Sequence, residues 1–220
     1  MKKIIFSILV IIMFFSKSNA DGNYEKIFFD FKIKSIAGDM IDLNTYKNKV
    51  ILLTNTASYC GFTKQYTDLQ ILWDKYKKDG LIVLGVPSNS FNQEKDNDND
   101  VKDFCEVNFN INFPITTITE VKGDNAHSIF KWAKENHGKS AIPKWNFHKI
   151  LINKNGKIEE TYTSFTNPMS KKMGNMCVKI FITNYQEVVH PLFYLGVPLL
   201  DLTNGTKTLL KKMSLTNTLI

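Results

Sequence analysis

A cysteine placed between a buried strand and a helix is the feature that most constrains this chain. The apolar run at 49–54 predicts a buried strand, and apolar residues spaced three and four apart over 66–76 predict one face of a helix. Cys60 lies in the turn between these segments. The free amide groups and positive dipole end of a helix N-terminus favour a thiolate there. A packed core thiol is the alternative, and this stretch alone does not decide between them.

The rest of the chain predicts an α/β fold. Strands are predicted at 28–34, 40–43, 49–56, 81–86, 149–152 and 158–162, and helices at 63–78, 101–109 and 126–136. The polar run at 95–100 is interpreted as a solvated turn, and Asn155-Gly156 as the turn of a hairpin. Strand–helix–strand crossovers followed by a hairpin predict a central mixed sheet flanked by helices.

The N-terminus has the pattern of a secretory signal peptide at 1–20. Lys2 and Lys3 precede an apolar run from Ile4 to Phe15, and a short polar stretch ends at Ala20. Cleavage near Ala20 predicts an exported chain, either periplasmic or secreted. The apolar run is short for a membrane span, which needs about 20 residues, and an uncleaved anchor is the alternative.

Composition argues against several classes of function. All 28 basic residues are lysine, and losing three of them with the signal peptide lowers the formal net charge from +7 to +4, which does not indicate nucleic-acid binding. The three cysteines form no C-x-x-C pair and the four histidines show no paired spacing, so neither a disulfide scaffold nor a metal site is predicted. No cofactor is expected.

Three loops are expected to meet at one edge of the sheet. Sites in α/β sheets gather at the carboxyl ends of strands, and both the Cys60 turn and the loop at 87–94 follow predicted strands. If these two strands are neighbours, Gln93 can face the sulfur of Cys60. The loop that carries Trp145 and Asn146 can then close the third side.

Several motifs occur together, in a fixed order along the chain. They are Asn55-x-Ala-Ser-x-Cys-Gly-Phe-Thr-x-Gln-Tyr66, Leu84-Gly-x-Pro-Ser-Asn89, Gln93-Glu94, Phe104-Cys105, Asn112-Phe-Pro114, Asn125-Ala-His127 and Lys144-Trp-Asn-Phe147. Through these motifs, residues 28–168 resemble the glutathione peroxidase family, in its cysteine rather than its selenocysteine form. The resemblance implies a thioredoxin-like fold and reduction of hydrogen peroxide and organic or lipid hydroperoxides.

The resemblance also implies roles for four residues. The family's peroxidatic residue falls on Cys60, and its catalytic partners fall on Gln93, Trp145 and Asn146. Side-chain amides and an indole supply neutral N–H donors. Such donors can hold a thiolate and a developing oxyanion without a permanent countercharge.

Cys105 matches the resolving cysteine of members that use thioredoxin-like reductants, so the resemblance implies a disulfide with Cys60. A bridge needs alpha carbons within about 7 Å, so helix 101–109 would have to unwind, and a buried helix cysteine is the alternative. The reductant is expected to be a thioredoxin-like protein or glutathione. The lack of arginine favours the protein, and the missing tetramer loop favours a monomer.

Two departures from the family pattern affect these expectations. The loop at 89–95 is one residue short and lacks the family's Gly and Pro, which weakens the placement of Gln93. The resemblance ends near Met173. The domain is therefore assigned to 21–173, and residues 174–220, including an unassigned Cys177, are predicted to be a divergent tail.

Two other functions stay open at this point. A peroxide sensor that passes its oxidation to a partner protein would use the same residues as the peroxidase. A non-catalytic thioredoxin-fold binding module, such as a copper chaperone, would need a second cysteine or a histidine close to Cys60, and the sequence offers none nearby.

Overall fold

The computed structural model describes residues 24–175. The predicted signal peptide at 1–20 lies outside the described residues, as does the predicted tail from residue 176 onward with Cys177. Within 24–175, no helix is long and apolar enough to cross a membrane.

The described residues form strands, three longer helices and short 3-10 helices. The strands are β1 (Lys32–Lys34), β2 (Met40–Asp42), β3 (Val50–Thr56), β4 (Leu81–Pro87), β5 (Lys149–Ile152) and β6 (Ile158–Tyr162). The longer helices are α1 (Gln65–Tyr76), α2 (Asp98–Phe109) and α3 (Ser128–His137). Short 3-10 helices occupy Phe28–Asp30, Leu43–Tyr46, Lys77–Asp79 and Gly138–Ala141. A further helical turn begins at Lys171.

Four strands form the central sheet, in the order β4-β3-β5-β6. β3 runs parallel to β4, with Val50 opposite Leu81, and antiparallel to β5, with Thr54 opposite Lys149. α1 makes the crossover from β3 to β4, while β5 and β6 form an antiparallel hairpin. The carboxyl ends of β3 and β4 therefore meet the start of β5 at one edge of the sheet, as the sequence predicted.

Alternate residues of β3 face two separate apolar layers. On one face, Leu52 packs in a core with Tyr66 of α1 and Cys105 of α2. On the other face, Leu53 packs in a core with Trp132 of α3. Helices cover both faces of the mixed sheet, which confirms the predicted α/β architecture.

The start of the domain differs from its prediction as a strand over 28–34. Residues 28–30 form a 3-10 turn, because the carboxylate of Asp30 accepts the N–H of Ile27 at 2.9 Å. Phe28 and Phe29 are both buried, so their exposure does not alternate as it does in a half-exposed strand. Only β1 remains of the predicted strand, and it pairs with β2 in an antiparallel hairpin.

α2 begins earlier than predicted, inside the polar run at 95–100. The side chain of Asn97 accepts the N–H of Asp100 at 2.9 Å and so caps the first turn. The carboxylate of Asp98 accepts the N–H of Ile118 at 2.7 Å and ties that turn to a neighbouring loop. Polar residues here start a helix rather than a solvated turn.

Gly156 offers a test of the hairpin between β5 and β6. Its φ is +75°, and a Cβ added there would lie 2.9 Å from Cδ2 of Phe29. Gly156→Ala should therefore lower the free energy of unfolding by about 2–4 kcal/mol, through left-handed strain together with overpacking. Urea denaturation measures this loss.

Gly123→Ala is the matched control, because φ at Gly123 is also +75° while nothing lies within 4 Å of the added Cβ. Backbone strain alone predicts a loss of about 1–2 kcal/mol there. Equal losses at the two glycines would contradict the assigned clash with Phe29.

Candidate active site

Cys60 lies in a tightly bonded turn between β3 and α1. The backbone N–H of Cys60 donates to Oγ1 of Thr63 at 3.1 Å, and that oxygen also lies 2.9 Å from the carbonyl oxygen of Ala57. The backbone N–H of Phe62 donates to Sγ of Cys60 at 3.4 Å. A donor aimed at the sulfur stabilises negative charge on it. The cysteine is 7% exposed, so its sulfur lies just below the surface.

Gln93 and Asn146 are brought together beside this turn, as predicted. Nδ2 of Asn146 donates to Oε1 of Gln93 at 2.9 Å. The backbone N–H of Tyr59 donates to the carbonyl oxygen of Gln93, also at 2.9 Å. Since Oε1 accepts from Asn146, the Nε2 hydrogens are the donors that the Gln93 side chain can still offer.

The shortened loop reaches this position because Asn92 adopts a left-handed conformation. Its φ is +56°, a region that favours glycine and that asparagine tolerates better than most residues. Asn92 therefore takes the sharp bend without the glycine that the family pattern carries in this loop. The departure at 89–95 does not displace Gln93 from the Cys60 turn.

Trp145 lies on the same loop as Asn146 but at the rim of the site. It is 42% exposed, and its ring packs against Phe91 with centroids 5.4 Å apart. Among residues 24–175, no hydrogen bond joins its indole to Cys60, Gln93 or Asn146. The fold thus brings Cys60, Gln93 and Asn146 to one place, with the aromatic ring of Trp145 at the edge.

Asn55 fastens the Trp145 loop to the end of β3. Its Nδ2 donates to the carbonyl oxygen of Trp145 at 3.2 Å, and its Oδ1 accepts the N–H of His148 at 3.1 Å. The N–H of Phe147 donates to the carbonyl oxygen of Asn55 at 2.6 Å. Asn55 is part of the motif around Cys60, but its bridging role follows only from the pairing of β3 with β5.

Glu94 makes the second connection, between the 87–94 loop and the Cys60 turn. It is almost fully buried, and its Oε1 accepts the N–H groups of Ser58 at 3.0 Å and of Lys95 at 2.9 Å. Burial raises the pKa of the Glu94 carboxyl, although those two hydrogen bonds act to lower it. The sequence presents Glu94 as a motif residue in a polar loop and gives no sign of its burial.

Cys105 lies inside the core rather than at the surface. It is fully buried on α2, in the same apolar cluster as Cys60, and both thiols are free. Burial raises the pKa of the Cys105 thiol to about 11. Because the thiolate is the nucleophile, full burial and a raised pKa both disfavour attack by Cys105 while α2 is intact.

The described residues offer no metal-binding cluster. Within 24–175, no group of three or more His, Cys, Asp or Glu residues is placed to hold a metal ion.

Comparison with known proteins gives this arrangement a family. The glutathione peroxidase family model matches residues 28–134. The glutathione peroxidase homolog BsaA of Bacillus subtilis is 40% identical over 154 residues, which cover 68% of this chain and 94% of the relative. The glutathione peroxidase-like peroxiredoxin gpx1 of Schizosaccharomyces pombe is 39% identical over 144 residues, which cover 64% of this chain and 91% of the relative.

A solved structure agrees with these relatives. The crystal structure of Trgpx in apo form aligns with a TM-score of 0.57 and 36% identity, covering 71% of this chain and 96% of that chain. The mixed sheet with helices on both faces is a thioredoxin-like fold, which confirms the predicted fold class. On its motifs, its fold and its relatives, the chain belongs to the glutathione peroxidase family.

Proposed function

We propose that this chain is a thiol peroxidase that reduces hydrogen peroxide and organic or lipid hydroperoxides through the thiolate of Cys60. One observation carries the proposal. The Cys60 turn, Gln93 and Asn146 are joined by two hydrogen bonds of 2.9 Å at the carboxyl edge of the sheet. A reactive sulfur beside paired amides is what peroxide reduction needs, and the relatives are named as peroxidases and peroxiredoxins.

The chemical step follows from the sulfur and its donors. The thiolate attacks one oxygen of the hydroperoxide, so that an S–O bond forms while the O–O bond breaks. The leaving oxygen takes up a proton and departs as water or an alcohol, and Cys60 is oxidised to the sulfenic acid. The N–H of Phe62, 3.4 Å from Sγ, stabilises the thiolate before the attack.

The amide groups are proposed to orient the hydroperoxide and stabilise the leaving oxygen. Nε2 of Gln93 remains free to donate because Oε1 accepts from Asn146. Donors held in place by other bonds stabilise developing charge without reorganising during the reaction. The indole of Trp145 is proposed as a further donor at the rim, where substrate enters.

Cys105 is proposed to resolve the sulfenic acid. Its thiolate attacks the sulfur of Cys60, so that an S–S bond forms, the S–O bond breaks and water leaves. A reductant then restores both thiols by thiol–disulfide exchange. A thioredoxin-like dithiol protein is our first choice of reductant, and glutathione is the alternative. The burial and raised pKa of Cys105 require α2 to open before this step.

The same burial supports a peroxide sensor as the second candidate. If α2 opens slowly, the sulfenic acid on Cys60 persists, and a partner thiol can attack it first. Slow turnover after fast oxidation of Cys60 separates this function from the peroxidase.

We further propose that the chain is exported and acts as a monomer. The N-terminal pattern at 1–20 supports cleavage near Ala20 and a periplasmic or secreted product. The mass of the protein from its own cells checks the cleavage. Size-exclusion chromatography with light scattering checks the monomer.

Thiol counting after one equivalent of hydrogen peroxide tests the function directly. In a Cys177→Ser chain, which carries only Cys60 and Cys105, we expect both thiols to be lost in a single disulfide. Cys105→Ser in the same background should stop at a trappable sulfenic acid on Cys60. Cys60→Ser should keep its thiol, and rapid loss of that thiol would exclude Cys60 as the site of attack.

Asn146→Ala tests the amide pair. The substitution removes the N–H donor to Oε1 of Gln93, so this oxygen loses its partner and the Gln93 side chain is no longer held in place. The rate of Cys60 oxidation should therefore fall about 10-fold to 1,000-fold. Stopped-flow fluorescence with hydrogen peroxide measures this rate. Asn44→Ala, at an exposed asparagine, is the control and should leave it unchanged. A normal rate in Asn146→Ala would remove this residue from the mechanism.

Mild urea tests whether α2 opens before the disulfide forms. In sub-denaturing urea, local opening of α2 becomes more frequent because it exposes buried surface. Disulfide formation should then accelerate while oxidation of Cys60 to the sulfenic acid does not. Mass spectrometry of quenched samples follows both steps, and a disulfide rate that is independent of urea would show that Cys105 attacks from the intact fold.

A further inference from the structure

A fully buried lysine lies on β5, immediately after the loop that carries Trp145 and Asn146. Lys149 has no exposed surface. The three residues that follow it on the strand, 150–152, are also buried, but they are apolar. Taking an ammonium group out of water is costly, and an apolar side chain would pack here without that cost. A residue that breaks the local rule of burial points to a role other than packing.

Two neutral oxygens hold this ammonium group. Nζ of Lys149 donates to Oε1 of Gln65 at 2.6 Å and to the carbonyl oxygen of Phe147 at 2.8 Å. Within residues 24–175 it makes no salt bridge. Asp68 of α1 favours the charged form of Lys149. Tyr162 of β6 lies opposite Lys149 in the β5–β6 pairing. Burial nevertheless dominates and lowers the pKa of Lys149 to about 7.

The carbonyl that Lys149 holds belongs to a strained residue. Phe147 has a φ of +62°, a left-handed conformation that bulky side chains rarely adopt. Its ring is fully buried and packs edge-on against Tyr66, with centroids 5.4 Å apart. This kink directly follows Asn146 and sets the direction from which the Asn146 side chain reaches Gln93.

The second oxygen leads back to Asn146 by another path. Nε2 of Gln65 donates to the carbonyl oxygen of Ser164 at 2.6 Å, and Oγ of Ser164 donates to the carbonyl oxygen of Asn146 at 2.6 Å. Lys149 thus holds the residue after Asn146 directly, and Asn146 itself through Gln65 and Ser164. All of these groups are buried, so each lost partner would leave a polar atom without a bond.

We propose that Lys149 is a positioning residue for the reaction at Cys60. Its buried amino group ties the Phe147 kink to the first turn of α1 and thereby fixes Asn146 against Gln93. The inference rests on the proposed function, in which Asn146 and Gln93 orient the hydroperoxide. It adds a residue that touches neither sulfur nor substrate.

A double-mutant cycle between Lys149 and Asn146 tests the inference in the full-length chain. Lys149→Met keeps the length of the side chain and removes its donors. It should lower the rate of Cys60 oxidation by hydrogen peroxide about 10-fold to 100-fold, because small displacements of catalytic groups are costly. In an Asn146→Ala chain, the same change should cost less than about twofold, since the residue through which Lys149 acts is already lost.

Two further variants separate positioning from general stability. Leu151→Met, on the same face of the same strand, conserves volume and should leave the rate unchanged. Lys149→Gln keeps an N–H donor group and should recover part of the rate lost in Lys149→Met. Hydrogen exchange should accelerate at the Phe147 amide in Lys149→Met while the amides of β4 keep their protection.

Several results would overturn the inference. The first is a normal rate of Cys60 oxidation in Lys149→Met, and the second is full additivity of the rate losses in Lys149→Met and Asn146→Ala. The third is failure of both Lys149 variants to fold, which would assign the lysine to the fold rather than to the site. The proposed function is judged separately, by oxidation of Cys60 in the parent chain and its slowing in Asn146→Ala alone.

Discussion

The site depends on how the buried amide of Asn55 completes the end of β3. Cys60 lies in the turn that follows β3, and Trp145 and Asn146 lie in a loop that Asn55 binds. The amide of Asn55 donates to this loop from its nitrogen and accepts from it at its oxygen. A buried amide used at both ends fixes orientation as well as distance, because any shift leaves a polar atom without a partner. Glu94 adds a second connection, because its Oε1 accepts the N–H of Ser58. The reactive sulfur is therefore held between two polar connections.

The two cysteines belong to one core but lie at different depths in it. Cys60 lies at the surface end of the cluster, with a backbone donor on its sulfur. Cys105 lies fully inside, where burial disfavours the thiolate and raises its pKa. The fold shields the second thiol from solvent as long as α2 is intact. If Cys105 resolves the sulfenic acid as proposed, the stability of α2 sets the lifetime of the oxidised Cys60.

Much of the fold is readable from the sequence because its signals are local. The apolar runs that form β3 and β4, and the Asn155-Gly156 turn, depend on residues a few positions apart. The prediction failed where a side chain competed for the backbone, as the Asp30 carboxylate does at Ile27 and the Asn97 cap does at α2.

The site is less readable, because its contacts cross the sequence. The sequence predicts that Cys60, Gln93 and Asn146 converge, because the strands next to them end or begin at one edge of the sheet. The burial of Glu94 and Lys149 does not follow from local pattern, since charged residues are usually exposed. Strand register places Lys149 opposite Thr54 and brings Asn55 to residues 90 positions away. Glu94 is instead placed by its bond to Ser58 of the Cys60 turn.

The long spacing of these contacts also determines when the site forms. Gln65 bonds Ser164 across 99 residues, and Gln93 bonds Asn146 across 53. Contacts between distant residues form late, since the chain between them must first be ordered. A chain that is still being made, and that ends before residue 145, carries Cys60 without the groups that bond to Gln93 and Asn55. Completion of the polypeptide is thus what assembles the catalyst, and an unfinished chain carries an ordinary thiol.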